Sequence, residues 1–117
     1  MGIEEKAYEL GQALARTDEY QALKRAMDAA DEDRELVELR SRLQALEQRL
    51  EGQVRAGQEP EEDAQKAYME AAEELQVKAG FQRLISAQAN FEKIMMKTNE
   101  IVARGIEEGA RSRIIVP

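Results

Sequence analysis

The segment 33–50, DRELVELRSRLQALEQRL, decides the fold. Leu36, Leu39, Leu43, Leu46 and Leu50 follow a 3-4-3-4 spacing. That spacing places all five leucines on one narrow stripe of an α-helix, the a/d pattern of a coiled-coil seam. Glu38, Arg40, Arg42, Gln44, Glu47, Gln48 and Arg49 lie between them and form a solvated face. The helix implied is roughly 22 residues, or about 33 Å, long. Its stripe ends around Gly52 to Gly57. Gly57 suits a helix C-cap because glycine tolerates the left-handed conformation. Pro60 suits the first position of a following helix, where its missing N–H costs nothing. Glu61, Glu62 and Asp63 then bring negative charge to that helix's amino end. A connection this short makes the two helices antiparallel neighbours.

The returning helix carries Ala64, Ala67, Tyr68, Ala71, Ala72, Leu75 and Ala79. A face made mostly of alanine lets another backbone approach closely but buries little area of its own. Upstream, Ile3, Ala7, Leu10 and Leu14 mark a first helix, and Tyr20, Leu23, Met27 and Ala30 a second. A kink is expected near 16–18, with Thr17 or Asp18 as the cap and Asp18–Gln21 at capping-box spacing. Asp31, Glu32 and Asp33 form a polar break whose charges favour the start of the leucine helix. Gly80 interrupts the pattern after the alanine face. A fifth helix follows, with Phe81, Leu84, Ile85, Phe91, Ile94, Met95, Ile101, Val102 and Ile106 on an apolar face wider than an a/d seam. Gly105 and Gly109 lower helix propensity towards the end, and Ile114-Ile115-Val116 either dock or fray. Nothing alternates with the period of a strand. The expected fold is all-α, a long antiparallel helical hairpin with flanking helices. The expected organisation is one domain over residues 1–108 and a flexible tail over 109–117.

Composition removes whole classes of chemistry. The 117 residues include no Cys, His or Trp. Thiol catalysis, disulfides, iron–sulfur ligation by this chain and the common zinc sites all need residues it lacks. There is no imidazole to act as a base near neutral pH and no nucleophile–His pair. No cofactor and no catalytic residue is therefore assigned, and the chain is read as a non-enzyme. The runs Glu59, Glu61, Glu62, Asp63 and Asp31, Glu32, Asp33 could hold a hard cation, but their place at helix starts already accounts for them, and neither has calcium-loop spacing. No metal is assigned.

The formal net charge is −7, and residues 59–78 alone carry 7 acidic against 2 basic side chains. Such a surface repels phosphate backbones, so direct nucleic-acid binding is not expected. Arg104, Arg111 and Arg113 make only a weak basic footprint near the carboxyl end. No run approaches a membrane span, and no membrane insertion is expected. The opening Met-Gly-Ile-Glu-Glu starts no apolar run, and Lys6 occupies the position where a myristoylation motif wants Ser or Thr. A cytoplasmic protein is the simplest reading.

Function is then expected from helix faces. The leucine stripe reads either as intramolecular core of the hairpin or as an interface between copies, and a lone pair of long helices leaves apolar faces uncovered on both sides. A homo-oligomer, dimer or higher, is expected. Met27, Met69, Met95 and Met96 read as core or as an adaptable contact surface. Tyr20 and Tyr68 read as interface anchors or as half-buried packing residues. The interface candidates are Tyr20, Leu39, Leu43, Leu46, Leu50, Phe81 and Phe91, some of which must belong to the internal core.

The order of these features resembles the YlbF/YmcA family of small helical bacterial proteins over residues 3–107. The resemblance rests on Ala7–Leu10–Leu14, on Asp18-Glu19-Tyr20 followed by Leu23 and Lys24, and on Asp33-Arg34-Glu35-Leu36. It continues through Gly57-Gln58-Glu59-Pro60 and the Phe81–Leu84–Ala87–Phe91 to Asn99–Ile101–Val102 helix. It implies an all-helical fold, oligomers formed through helices and no catalysis. Members act as accessory factors in biofilm formation, competence and sporulation, in a complex that affects messenger-RNA processing through a membrane-attached endoribonuclease. Iron–sulfur clusters associated with those complexes are held by cysteines, so that property does not carry over to a chain without Cys. Lys78-Ala79-Gly80-Phe81 also departs from the Asn-Pro that many relatives place near there. The resemblance implies an adaptor or regulatory protein with a protein partner in RNA processing or bacterial development. The alternative is a structural or chaperone-like homo-oligomer without a dedicated partner.

Overall fold

A computed structural model of the chain describes residues 2–115. Among them are five helices and no strand. They are α1 (Ile3–Ala15), α2 (Asp18–Glu32), α3 (Arg34–Arg55), α4 (Glu62–Gln76) and α5 (Ala79–Ile115). The chain divides into two compact units, one of Lys24–Ser86 and one of Met1–Leu23 with Ala87–Pro117.

The unit of Lys24–Ser86 is built on the α3–α4 hairpin. Asp33 starts α3: its Oδ1 accepts from the backbone N–H of Glu35 at 3.1 Å and of Leu36 at 3.4 Å. The helix ends in a complete Schellman closure. Gly57 takes φ of 76°, its N–H donates to the Val54 carbonyl, and the Gln58 N–H donates to the Gln53 carbonyl at 2.9 Å. The hairpin is cross-linked at both ends. Near the turn, Arg49 Nη2 donates to Glu61 Oε2 at 2.6 Å and the Glu61 N–H donates to Gln53 Oε1 at 2.9 Å. At the open end, Lys78 Nζ donates to Glu35 Oε2 at 2.9 Å. These contacts make α3 and α4 antiparallel, as the short connection requires.

Two boundaries differ from the sequence expectation. Pro60 stands two residues before the first helical residue, Glu62, rather than at it. Glu61 is extended, with ψ of 132°, because its N–H is held by Gln53 and its carboxylate by Arg49. The break after α4 lies at Val77–Lys78, so Ala79 belongs to α5 and Gly80 is helical. The reason for glycine there is close approach. A Cβ on Gly80 would stand 2.8 Å from Leu36 Cδ1. The buried residues of this unit are Ala30, Leu36, Leu39, Ala64, Ala71, Leu75 and Leu84.

In the unit of Met1–Leu23 and Ala87–Pro117, the α1–α2 break is closed by one side chain. Thr17 Oγ1 donates to the Leu14 carbonyl at 2.7 Å and accepts from the Tyr20 N–H at 3.1 Å. Thr17 is thus the cap and Asp18 is the first helical residue. The Asp18–Gln21 capping box does not form, because Gln21 Nε2 donates back to the Ala15 carbonyl at 2.8 Å. The start of α2 packs on α5 through Tyr20 and Phe91, whose rings meet edge to face with centroids 5.2 Å apart. Leu23 and Ala87 are buried. Helix α5 continues through Gly105 and Gly109 to Ile115. The expected docking or fraying of Val116, and the side chains of Arg113, Ile114 and Ile115, lie outside the described residues.

Gly80→Ala sets a gain in helix propensity of about 0.5–1 kcal/mol against overpacking of about 1–3 kcal/mol. Leu36 is 1% exposed, so its Cδ1 can give way only by pushing on the other side chains that enclose it. The expected outcome in a denaturant melt is net destabilisation, whereas Gly52→Ala, at a helical position with open space around it, is expected to stabilise.

Candidate protein-interaction surface

The five leucines of α3 do not share one environment. Leu36 is 1% and Leu39 4% exposed, whereas Leu43, Leu46 and Leu50 are only half-buried. One turn further on, Val54 is 61% exposed. The apolar seam therefore opens progressively towards the turn. At its open end, the seam has the start of α5 against it, because Gly80 abuts Leu36. At the turn end, α4 brings Ala64 and Ala67, whose small side chains cannot cover leucines on their own. An open recess of about 320 Å³ lies on α3 there, lined by Leu50, Glu51, Val54 and Arg55.

The sequence-derived candidates separate accordingly. Leu39 is internal core. Leu43, Leu46 and Leu50 line the half-open seam. Tyr20 and Phe91 are half-buried and occupy each other, and Phe81 is half-buried at the start of α5. Val54 escaped notice because the stripe was closed at Gly52. Its signal was present, since it follows Leu50 at the same spacing of four.

The second apolar surface belongs to the other unit. Helix α1 has no buried residue at all. Ile3 is 87% exposed, and Tyr8 and Leu10 are also exposed. On α5, Ile101, Val102 and Ile106 are exposed as well. An amphipathic helix holding its apolar stripe in water is a helix without its partner.

The polar groups are arranged for structure. Among the described residues, no group of three or more carboxylates converges as a metal site. Glu61 is taken by Arg49, and Arg111 of the weak basic footprint is paired with Glu107 at 2.6 Å. Among the described residues, no helix is long and apolar enough to cross a membrane. Lys78 has its pKa raised above the ordinary lysine value, first by its hydrogen bond to Glu35 and the attraction of that carboxylate, with Glu74 and Asp33 adding and partial desolvation opposing.

This acidic helical chain with an opening leucine seam matches a known family over most of its length. The family described as "Control of competence regulator ComK, YlbF/YmcA" covers residues 3–107. The chain belongs to the YlbF/YmcA family. Within the curated relatives it is similar to a UPF0342 protein of Bacillus mycoides, 30% identical over 107 residues and 91% of each chain. It is also similar to a UPF0342 protein of Staphylococcus epidermidis, 29% identical over 103 residues, or 87% of this chain and 90% of the relative. A UPF0342 protein of Staphylococcus saprophyticus is 27% identical over 109 residues, covering 92% and 95%. As a YlbF/YmcA member, the chain is a bacterial regulatory protein that works by protein contacts and not by catalysis.

Two outcomes test this account of the surface. Leu39→Ala is expected to cost about 2–5 kcal/mol and Leu50→Ala clearly less, because the cost of truncation follows burial and cavity formation; equal losses in urea melts would remove the gradient. Lys78→Gln tests the open-end ion pair. A raised lysine pKa stabilises fully below the unfolded value and loses that contribution as pH rises through the folded value. The Tm gap between wild type and Lys78→Gln is therefore expected to be constant through neutral pH and to shrink above about 10.4.

Proposed function

We propose that the chain is a regulatory adaptor that carries protein partners on its helix faces, self-associates, and acts in the control of RNA processing or bacterial development in the cytoplasm. The observation that carries this reading is the amount of apolar helix surface without a covering element: the Ile3–Leu10 part of α1, the Ile101–Ile106 stretch of α5, and the turn end of the α3 seam. Soluble monomers rarely leave so many aligned apolar side chains in water. Membership in a regulatory family supports the adaptor character, while the link to RNA processing rests on the resemblance stated above.

Self-association is assigned to the apolar faces of α1 and distal α5. Leu43, Leu46 and Leu50 serve the hetero-partner, and Tyr20, Phe81 and Phe91 hold the surfaces in shape. A second reading, a structural or chaperone-like homo-oligomer without a dedicated partner, draws on the same uncovered α1 and α5 faces.

Affinity capture from a bacterial extract, with and without nuclease, separates the two. The expected result is a specific protein partner that survives nuclease, together with a sedimentation mass above 13.2 kDa that falls on Ile3→Glu or Ile106→Glu. Recovery of the chain alone would favour the homo-oligomer. A monomer with no captured protein would end both readings.

A further inference from the structure

We infer that the turn end of the α3–α4 hairpin is a docking groove for one amphipathic helix of a partner protein, a helix with leucine-like anchors along one face and Lys or Arg along its flanks. The inference rests on the adaptor reading and names the chemistry of its partner.

The seam supplies the apolar part. From Leu43 to Val54 it runs about 17 Å, or three turns of helix. It opens from half-buried leucines to an exposed valine, with the recess beside Leu50 and Val54 at its end. On the facing α4, Ala64 is already buried against α3 and Ala67 is half-buried, and the small side chain of Ala67 leaves room for a third backbone to settle close to the pair. An incoming helix with anchors at i, i+3, i+4 and i+7 would convert a two-helix seam into a three-helix core.

Charge selects the occupant. Residues 43–68 carry six acidic and three basic side chains. One of the three bases, Arg49, is already bound to Glu61. Glu47, Glu51, Glu59, Glu62 and Asp63 are all exposed around the turn end. A second copy of the same hairpin would bring two acidic rims together, and like charges across an interface oppose association. Arg55 also lines the recess, but the acidic side chains around the turn end outnumber the basic ones, so a helix flanked by Lys or Arg meets a net opposite charge there. The acidic rim thus discriminates against self-pairing at this surface, while the apolar faces of α1 and distal α5 remain for a second copy.

The test uses the full chain and three synthetic peptides of about 18 residues, long enough to span the seam as a helix. One has leucines at 3-4 spacing with lysine flanks, one has the same leucines with glutamate flanks, and one has the lysine composition with leucines spread around the helix. Fluorescence anisotropy is expected to show the patterned lysine peptide binding at least about tenfold tighter than either control, and weakening when salt rises from about 0.05 to 0.5 M. Val54→Glu, at an exposed position that tolerates the change, is expected to reduce that affinity at least about tenfold. The double substitution Glu47→Lys and Glu51→Lys is expected to shift preference to the glutamate peptide. Equal binding of the scattered-leucine peptide would overturn the groove by reducing it to bulk charge attraction. Affinity unchanged by Val54→Glu would place the peptide elsewhere. A fall in sedimentation mass on Val54→Glu would make the occupant a second copy and also overturn the proposal. A captured cellular partner that still binds Val54→Glu and the double lysine variant would leave the adaptor reading standing and the groove refuted.

Discussion

The contact between Leu36 and Gly80 governs how the hairpin unit is assembled. Leu36 is the most enclosed large side chain among the described residues, and α5 can approach it closely because it begins with almost no side chain at Gly80. The same corner holds the Asp33 cap, which fixes where α3 starts, and the Lys78–Glu35 pair, which ties the α4–α5 break to the first turn of α3. Full burial of a leucine contributes about 1.5–3 kcal/mol, whereas a solvent-screened surface ion pair contributes little. Packing therefore dominates, and the polar contacts fix its register. Because the best-buried leucines gather at this corner, the hairpin is firm at its open end and short of cover at its turn.

That imbalance links stability to function. A helix pair with alanine on one side and leucine on the other can be closed at one end by a third element and left open at the other. The same 3-4-3-4 stripe is then core over its first two leucines and half-open over the rest, where the proposed partner helix would dock. A YlbF/YmcA member without catalytic groups has its chemistry in this division: what it does depends on which apolar positions are covered within the chain and which are not.

Much of this was legible in the sequence, and what was missed has local causes. The Leu36–Leu50 period, the αL position of Gly57 and the polar break at Asp33 are each dictated by one residue type at one spacing: α3 spans the period, Gly57 takes the left-handed turn and Asp33 caps the helix. The start of α4 shifted from Pro60 to Glu62 because Gln53 and Arg49, several residues away, hold Glu61 outside the helix. Gly80 signalled an interruption by its propensity, but its role is tertiary, and no local pattern announces a leucine methyl group from 44 positions upstream. The capping box at Asp18–Gln21 failed for a similar reason: Gln21 had a carbonyl to reach behind it. Gln82 does the same at the second break, donating to the Gln76 carbonyl at 3.0 Å, so both breaks are bridged by a glutamine six residues ahead of its acceptor. Which leucines end up covered depends on where α5 runs, and a spacing rule within α3 does not contain that.

The charge pattern around Lys78 has a consequence for what the cell can use as a signal. The chain has neither His nor Cys, and among the described residues the clearly displaced group is a lysine moved further from neutrality. No side chain has an ordinary titration point between about pH 5 and 8. The chain thus carries neither the imidazole nor the thiol through which side chains ordinarily answer mild acidification or thiol oxidation. Its exposed ion pairs, Arg49–Glu61 and Lys78–Glu35 among them, answer instead to ionic strength.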